Sequence, residues 1–465
     1  MTTTTPTRPT APPRLPALAR RRSWLPDLVA SAGALSVLFV LALWVHGGGV
    51  QQLGGLTTGL TSAGRLSGLI SADLLLIQVF LMARVPWIER AYGQDQLARW
   101  HRLVGHTSFQ LLLAHLLTIT VGYARAAHTA VLAEAWDLIV TYPGMLLATA
   151  GTAALVMVVV TSIRAARRKL RYESWHLLHL YAYLGVGLAL PHQLWTGADF
   201  TASPAAAAFW WGIYGVAAGA VLIYRLGLPL WRSWRYQLKV HTVVAEAPGV
   251  WSVYLRGRQL DRLPVRAGQF FQWRFLNWPG WSRAHPYSLS AAPGADRLRI
   301  TVKDLGDDSR RVAALRPGTR VLIEGPYGQL TAQRQTTDRV TLIASGVGIT
   351  PVRALLEELT YRPGGAVLIY RARTEADLVF RAELEALAAA RGVRLFYLLG
   401  PRGRADSWLP AGWVHDAGGL RYLVPQIAHH DVYVCGPPDW MDAVTRAARL
   451  AGVPDPRLHI ERFSW

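Results

Sequence analysis

Four histidines carry the strongest chemical signal in this chain. His101 and His115 lie 14 residues apart, and His179 and His192 lie 13 apart. On an α-helix, a separation of 14 returns to within about 40° of one face and climbs about 21 Å. Two b-type haems stacked across a bilayer need this arrangement, with one imidazole from each helix for each iron. Neutral imidazole ligates iron well. Two imidazoles per iron leave no open position, which favours electron transfer over oxygen binding at the metal. The 13-residue pair is less regular, because it ends about 140° off the starting face. It requires a bend or bulge, and Pro191, immediately before His192, is placed to supply one. His106 is five residues from His101 and points elsewhere. His176, one turn before His179, stays open as an alternative inner ligand.

A second group of motifs lies in the C-terminal half. His285-Pro286-Tyr287-Ser288-Leu289-Ser290 ends an expected strand. An aromatic ring and a hydroxyl at a strand end suit a flavin, with Tyr287 covering ribityl or ring atoms and Ser288 bonding near N5. Lys303, Gly306 and Ser309 then precede a helix start, where backbone N–H groups, an ammonium and a hydroxyl make a pyrophosphate site. Gly346-Val347-Gly348-Ile349-Thr350-Pro351 follows a strand and opens a helix. Placed so, it reads as a dinucleotide cradle, although Pro351 stands where the full motif has its last glycine. Arg371 and Arg373 end an apolar strand and suit a 2′-phosphate, which favours NADPH over NADH. Cys435-Gly436-Pro437 ends another strand and would set a thiol near the nicotinamide. At the C-terminus an aromatic, Phe463 first and Trp465 second, is suited to cover the flavin until nicotinamide displaces it.

Such groups need a membrane bundle and two sheet domains to hold them. Of the 465 residues 51% are hydrophobic and only 17% charged, against about 25% charged in a soluble domain. The net charge of +20 could mark a nucleic-acid binder, but 19 Trp and long apolar runs favour a membrane protein with basic cytoplasmic loops. The one cysteine excludes an intramolecular disulfide, a four-cysteine cluster and covalently attached haem. Residues 1–26 read as a disordered basic tail. Six apolar stretches follow, at about 28–45, 66–84, 101–122, 143–163, 175–195 and 208–228, each near the length that spans a bilayer. Basic residues cluster in the tail (Arg20, Arg21, Arg22), the second connection (Arg90, Arg99), the fourth (Arg164, Arg167, Arg168, Lys169, Arg171) and the exit (Arg232, Arg235, Lys239). That pattern puts both termini in the cytoplasm. After Tyr236, alternating runs predict a small antiparallel barrel over 236–335, and a strand–helix rhythm predicts a parallel sheet with helices on both faces over 338–465.

Taken together, these motifs resemble the ferric reductase and NADPH oxidase superfamily, in which a ferric reductase-like transmembrane domain is fused to a ferredoxin-reductase-type FAD/NAD(P) module. The likeness rests on the histidine pairs, including their 13-residue offset, on HPYSLS, on GVGITP with CGP, and on the ending Glu461-x-Phe463. It implies a multi-domain chain: a six-helix transmembrane haem domain over 27–230, an FAD-binding barrel, and an NAD(P)H-binding domain. It also implies that Arg65 lies near the outer haem. Superoxide-producing members carry a further histidine where this chain has Ile119, a departure that leaves the acceptor open.

The function expected is an enzyme that moves electrons from cytoplasmic NADPH, or NADH, through FAD and two b-type haems to ferric chelate or O2 across the plasma (inner) membrane. Its expected partners are the lipid bilayer and that small acceptor, with no nucleic acid. Two other readings stand beside it: a haem-binding sensor with a regulatory flavin domain, and a membrane-tethered flavin reductase without haem.

Overall fold

The computed structural model describes residues 24–170, 172–276, 283–413 and 415–462. Most of the basic tail, together with Phe463 and Trp465, lies outside these residues. The chain divides into two units between Leu228 and Pro229.

The first unit is helical. Its long helices are α1 (Trp24–His46), α2 (Leu56–Leu81), α3 (Gln94–Ala127), α4 (Met145–Ser162), α5 (Tyr172–Trp195) and α6 (Pro204–Ala220), the last continued by a π-helical segment, Val221–Gly227. Five candidate membrane spans are long and apolar enough among the described residues: α1 to α4, and Pro204–Tyr236. Six stretches were expected. The fifth of them forms α5, but its three histidines and Gln193 dilute its apolar content and it is not among the five. α1 begins at Trp24, inside the expected tail, and α2 begins ten residues before the expected 66.

Small residues let these helices approach closely. A Cβ on Gly64 would meet Ile119 at 2.7 Å, and one on Gly122 would meet Thr61 at 2.6 Å, so α2 and α3 touch where side chains are missing. Ser71 Oγ donates to the Ser108 carbonyl across the same interface at 2.7 Å. Gly151 and Gly185 do the same for α4 and α5, each within 3.0 Å of the other's carbonyl oxygen once a Cβ is added. Large apolar side chains such as Leu35, Leu38 and Leu117 face outward, as in a bundle that lipid surrounds.

The second unit begins with two three-stranded antiparallel sheets. Strands β1 (Lys239–Ala247), β2 (Val250–Arg256) and β5 (Arg297–Lys303) form one, and β4 (His285–Ser288), β3 (Phe270–Phe275) and β6 (Val321–Tyr327) form the other. Alternation along each strand turns Val253, Leu255, Phe271, Trp273, Ile300 and Ile323 into one shared core. Single bridges Lys239–Arg320 and Leu289–Ile300 connect the sheets. Trp273 Nε1 donates to the Tyr287 carbonyl at 2.8 Å, which fixes β4 against β3.

A five-stranded parallel sheet follows, in the order β11 (Leu458–Ile460), β10 (Asp431–Cys435), β7 (Val340–Ser345), β8 (Ala366–Arg371), β9 (Val393–Leu398). Near-continuous apolar strands are what a sheet covered on both faces requires. α7 (Ile349–Glu358) and α8 (Arg381–Arg391) cover one face, and α9 (Asp416–Leu423) and α10 (Pro438–Leu450) cover the other.

One buried carboxylate ties the strand starts together. Asp431 accepts from the amides of Thr336 and Thr337 at 2.7 and 2.6 Å and pairs with His459 Nε2 at 2.9 Å. Burial alone would raise this carboxyl, but His459 and the two amides outweigh burial and hold it below the usual carboxylate range. A depressed folded pKa stabilises above the unfolded value, and that stability is lost as pH falls through the folded one. Asp431→Asn should cost about 3 kcal/mol near neutrality. It should also flatten the loss of stability below about pH 4, as measured by denaturant melts across pH.

Candidate functional site

The paired imidazoles are set by α2. His115 Nδ1 lies 2.8 Å from the Gly64 carbonyl, and His101 Nδ1 lies 3.3 Å from the Gln78 carbonyl. A carbonyl only accepts, so each Nδ1 carries the proton and each Nε2 keeps a free lone pair. Gly68 completes the seat, because a Cβ there would stand 2.5 Å from His115 Nδ1. The α5 histidines are held in the same way. His192 Nδ1 is 2.6 Å from Thr196 Oγ1, whose hydroxyl donates to the His192 carbonyl at 2.8 Å. His179 Nδ1 is 3.4 Å from Ser162 Oγ, which also accepts from Trp175 Nε1 at 3.3 Å.

One of the two expected pairs is in ring contact. His101 and His179 have ring centres 5.9 Å apart. Two imidazoles bound head-on to one metal, at about 2 Å each, would have ring centres about 6 Å apart. α5 runs on through Pro191, which has no N–H to return to Gly187. His106 is exposed. Among the described residues no group of three or more His, Cys, Asp or Glu gathers round a bare metal site.

In the second unit Ser288 is the residue that fits a flavin. It is buried, and its Oγ has no hydrogen-bond partner among the described residues. The His285 and Tyr287 rings stack beside it with centres 5.9 Å apart, and Pro286 lies between them on β4. Ser290 is used otherwise. Its hydroxyl accepts from Arg299 Nε at 3.1 Å and from Thr301 Oγ1 at 2.7 Å. The expected pyrophosphate loop is built on a helix of only five residues, Asp307–Arg311. Ser309 Oγ donates to the Gly306 carbonyl at 2.8 Å and accepts from the Leu305 amide at 2.7 Å, while Lys303 is exposed at the end of β5.

The glycine loop expected as a dinucleotide cradle follows β7 and opens α7. Gly346 has φ +54° with open space where a Cβ would point, and a Cβ on Gly348 would lie 2.3 Å from the Cys435 carbonyl oxygen. The loop after β7 therefore packs directly on the end of β10, which brings Gly346, Gly348, Cys435 and Gly436 to one edge of the sheet. Thr350 Oγ1 closes the helix start on the Val347 carbonyl at 3.0 Å, with Pro351 buried behind it. Pro437 lies just before α10. Burial pushes the Cys435 thiol up, and the Glu461 charge adds to this, so the sulfur is a neutral thiol.

Arg371 departs from its expected role. Its guanidinium is buried and donates to the carbonyls of Ala372, Leu398 (3.1 Å) and Gly400 (2.6 Å). It braces the ends of β8 and β9 instead of reaching a phosphate, and burial, with Arg373 and Arg402 nearby, lowers its pKa. Arg373 is exposed at that edge.

Several residues, or the partners of residues already named, escaped the sequence reading. Arg299 and Arg353, both nearly buried, share Glu383, and Arg353 also pairs with Glu357 at 2.7 Å. Glu357 in turn accepts from the Ala292 amide at 2.6 Å. The segment after HPYSLS is thus clamped to α7 and α8. Glu461 accepts from the amides of Gln329 and Leu330 at 2.8 and 3.2 Å. In the helical unit Arg65 grips Asp199 through two hydrogen bonds of 2.9 and 2.6 Å. Asp73 is fully buried, accepts from Ser36 Oγ at 2.6 Å, and leaves Oδ2 without a hydrogen-bond partner among the described residues. A lone carboxyl inside an apolar stretch was the available signal for it.

Comparison with known proteins agrees with this division. Residues 67–190 match the family described as ferric reductase like transmembrane component, and residues 342–446 match the oxidoreductase NAD-binding domain. The chain thus carries a ferric reductase-like transmembrane module and an oxidoreductase NAD-binding module, the two parts combined in the fused superfamily that its motifs resemble. It is 34% identical over 209 residues to the ferredoxin reductase component of 3-ketosteroid-9-alpha-monooxygenase from Mycolicibacterium smegmatis, covering 44% of this chain and 57% of that protein. It is 29% identical to NADH oxidoreductase HCR of Escherichia coli (50% and 68% covered) and 30% identical to the flavohemoprotein of Bordetella pertussis (50% and 61%). The chain thus spans little more than half the length of the first of these relatives. The ferric reductase-like match includes His101, His115 and His179 and stops two residues before His192.

Gly348→Ala should force the Cys435 end of β10 away. We expect KM for the reduced nicotinamide nucleotide to rise at least tenfold with flavin content unchanged, read by steady-state dye reduction and by flavin absorbance.

Proposed function

We propose that the chain is a transmembrane oxidoreductase that takes electrons from cytoplasmic NADPH, through FAD and two b-type haems, to an acceptor across the membrane, ferric chelate or O2. One observation carries this reading. The His101 ring on α3 and the His179 ring on α5 lie with centres 5.9 Å apart, and the Nδ1 of His101 and of His115 is held by an α2 carbonyl, which leaves the Nε2 of each for a metal. In this reading α5 is the sixth membrane span, and both termini lie in the cytoplasm of a plasma (inner) membrane protein.

When bound, the nicotinamide supplies hydride, the flavin turns a two-electron donor into one-electron steps, and the haems carry single electrons. The residues of this chain bind and orient those groups. His101 and His179 would hold the inner haem, with His176 as the other candidate on α5, and His115 and His192 the outer. α2 fixes the tautomer of the α3 pair through Gly64 and Gln78. Gly68 keeps its side unobstructed so that the His115 ring stays upright. Ser288 would donate its unpartnered hydroxyl to the flavin, with His285 and Tyr287 against it. Gly346 and Gly348 would admit the pyrophosphate to the start of α7. Arg373, not Arg371, would meet a 2′-phosphate. Cys435 would line the nicotinamide pocket as an uncharged group. Phe463 and Trp465 are proposed as the aromatics that shield the flavin face, with Glu461 anchoring the segment before them.

The decisive experiment is spectral and kinetic. Purified protein reduced with dithionite should show bis-imidazole b-type absorption. His115→Leu should remove delivery to ferric chelate in oriented vesicles while leaving flavin-dependent dye reduction intact; equal loss of both would contradict the order proposed. Arg373→Ala should raise KM for NADPH about tenfold and leave KM for NADH within twofold, measured by nucleotide oxidation.

A further inference from the structure

The edge of the parallel sheet opposite the nucleotide cradle carries a second, unexplained concentration of charge. Parallel strands start on one edge and end on the other. Gly346, Gly348, Arg373 and Cys435 sit at or just beyond strand ends, whereas Arg339 directly precedes β7, Gly365 directly precedes β8, Arg394 is the second residue of β9, and His430 directly precedes β10. Six-residue strands at about 3.3 Å per residue hold the two edges about 20 Å apart.

Those strand starts line a cavity of about 240 Å³, bounded by Arg339, Arg362, Gly364, Gly365, Arg394, Pro425, Gln426 and His430. No acidic residue is among them. The side chains of Arg339, Arg362 and Arg394 make no ion pair or hydrogen bond among the described residues. The neighbouring carboxylate, Asp431, is taken up by Thr336, Thr337 and His459. The three guanidiniums come from three separate segments and all act on His430, whose Nδ1 is 2.9 Å from Thr341 Oγ1. Burial first, and then these guanidiniums, push that imidazole down to about 4, so at neutral pH it is an uncharged wall that adds no repulsion to an anion.

Three guanidiniums line one hollow with no acidic residue among its lining, which leaves their N–H groups available to an anion. A planar guanidinium with parallel N–H groups is the side chain best shaped for phosphate oxygens. We propose that this hollow is a second anion site, one that binds a ligand carrying two or more phosphate groups. The ligand is either a soluble polyphosphate ester or the headgroup of an acidic phospholipid, and the site is separate from the one that holds the reduced nucleotide.

The test uses the full chain in nanodiscs at 150 mM salt, which screens diffuse attraction beyond about 8 Å, with NADP+ saturating the nucleotide cradle. Titration with inorganic tripolyphosphate should show one saturable site in neutral phosphatidylcholine discs. Arg362→Gln/Arg394→Gln, both exposed positions, should weaken it at least tenfold, Arg394→Lys should retain most of it, and dye reduction should stay as in the parent. If discs containing cardiolipin, whose headgroup carries two phosphates, weaken tripolyphosphate tenfold in the parent but not in the double variant, the natural occupant is a headgroup. If the two disc types give equal affinity, it is a soluble phosphate ester. Absence of saturable binding in neutral discs, or equal affinity in parent and double variant, would overturn the site.

Discussion

Two backbone carbonyls on α2 set the geometry on which the rest of the membrane half depends. The Gly64 and Gln78 oxygens each accept a hydrogen bond from an imidazole N–H on α3, and in doing so decide which nitrogen of that ring keeps its lone pair. A carbonyl inside a helix is normally engaged within its own helix, so reaching one from a neighbour demands very close packing. Glycine supplies that closeness. Gly64 and Gly68 stand where any side chain would collide with α3, and Gly122 stands where one would collide with α2. The helix pair is therefore less an apolar seam than a rigid jig for two rings, built from the absence of side chains and the direction of peptide dipoles.

The second unit solves a similar problem with charge. The strand that ends in the flavin motif and the helix that follows the glycine cradle belong to different sheets, yet they must keep a fixed spacing. Arg299 and Arg353 converge on Glu383, with Glu357 on the Ala292 amide. Burying so many charges is tolerable because each finds a partner, and breaking one would strand the others. Burial raises the Glu383 carboxyl, but the two arginines more than reverse this and hold it low, so the clamp stays ionised at working pH. Ser290 belongs to this clamp, whereas the hydroxyl of Ser288, two residues earlier, has no hydrogen-bond partner among the described residues.

Much of this was legible from residue order. The strands carrying FFQWRF, RLRITVK and VTLIAS were visible because alternation and continuous apolarity report which faces are covered. His101 and His115 were visible because helical spacing is arithmetic, whereas His179 and His192, 13 apart, were picked out by the resemblance and by Pro191 and not by that spacing. What stayed hidden depends on partners far apart in the chain. Arg65 and Asp199 are 134 residues apart, Ser36 and Asp73 are 37 apart, and no local pattern foretells either pair. Arg371 looked like a phosphate ligand because its position at a strand end was readable but its direction was not: the guanidinium turns back into the sheet. The start of α2 was hidden because Thr57, Thr58 and Gly59 interrupt the apolar run, although the backbone there is helical.

The sulfur inventory has a practical outcome. The chain has one cysteine, and Cys435 is wholly enclosed, its thiol kept protonated by its apolar surroundings. Maleimides and nitroxide reagents attack exposed thiolates, so the parent protein is silent toward them. A fluorophore or spin label can be attached at any chosen surface residue without first stripping native thiols. Distances within either unit, and between them, thereby become accessible to spectroscopy in an otherwise unaltered molecule.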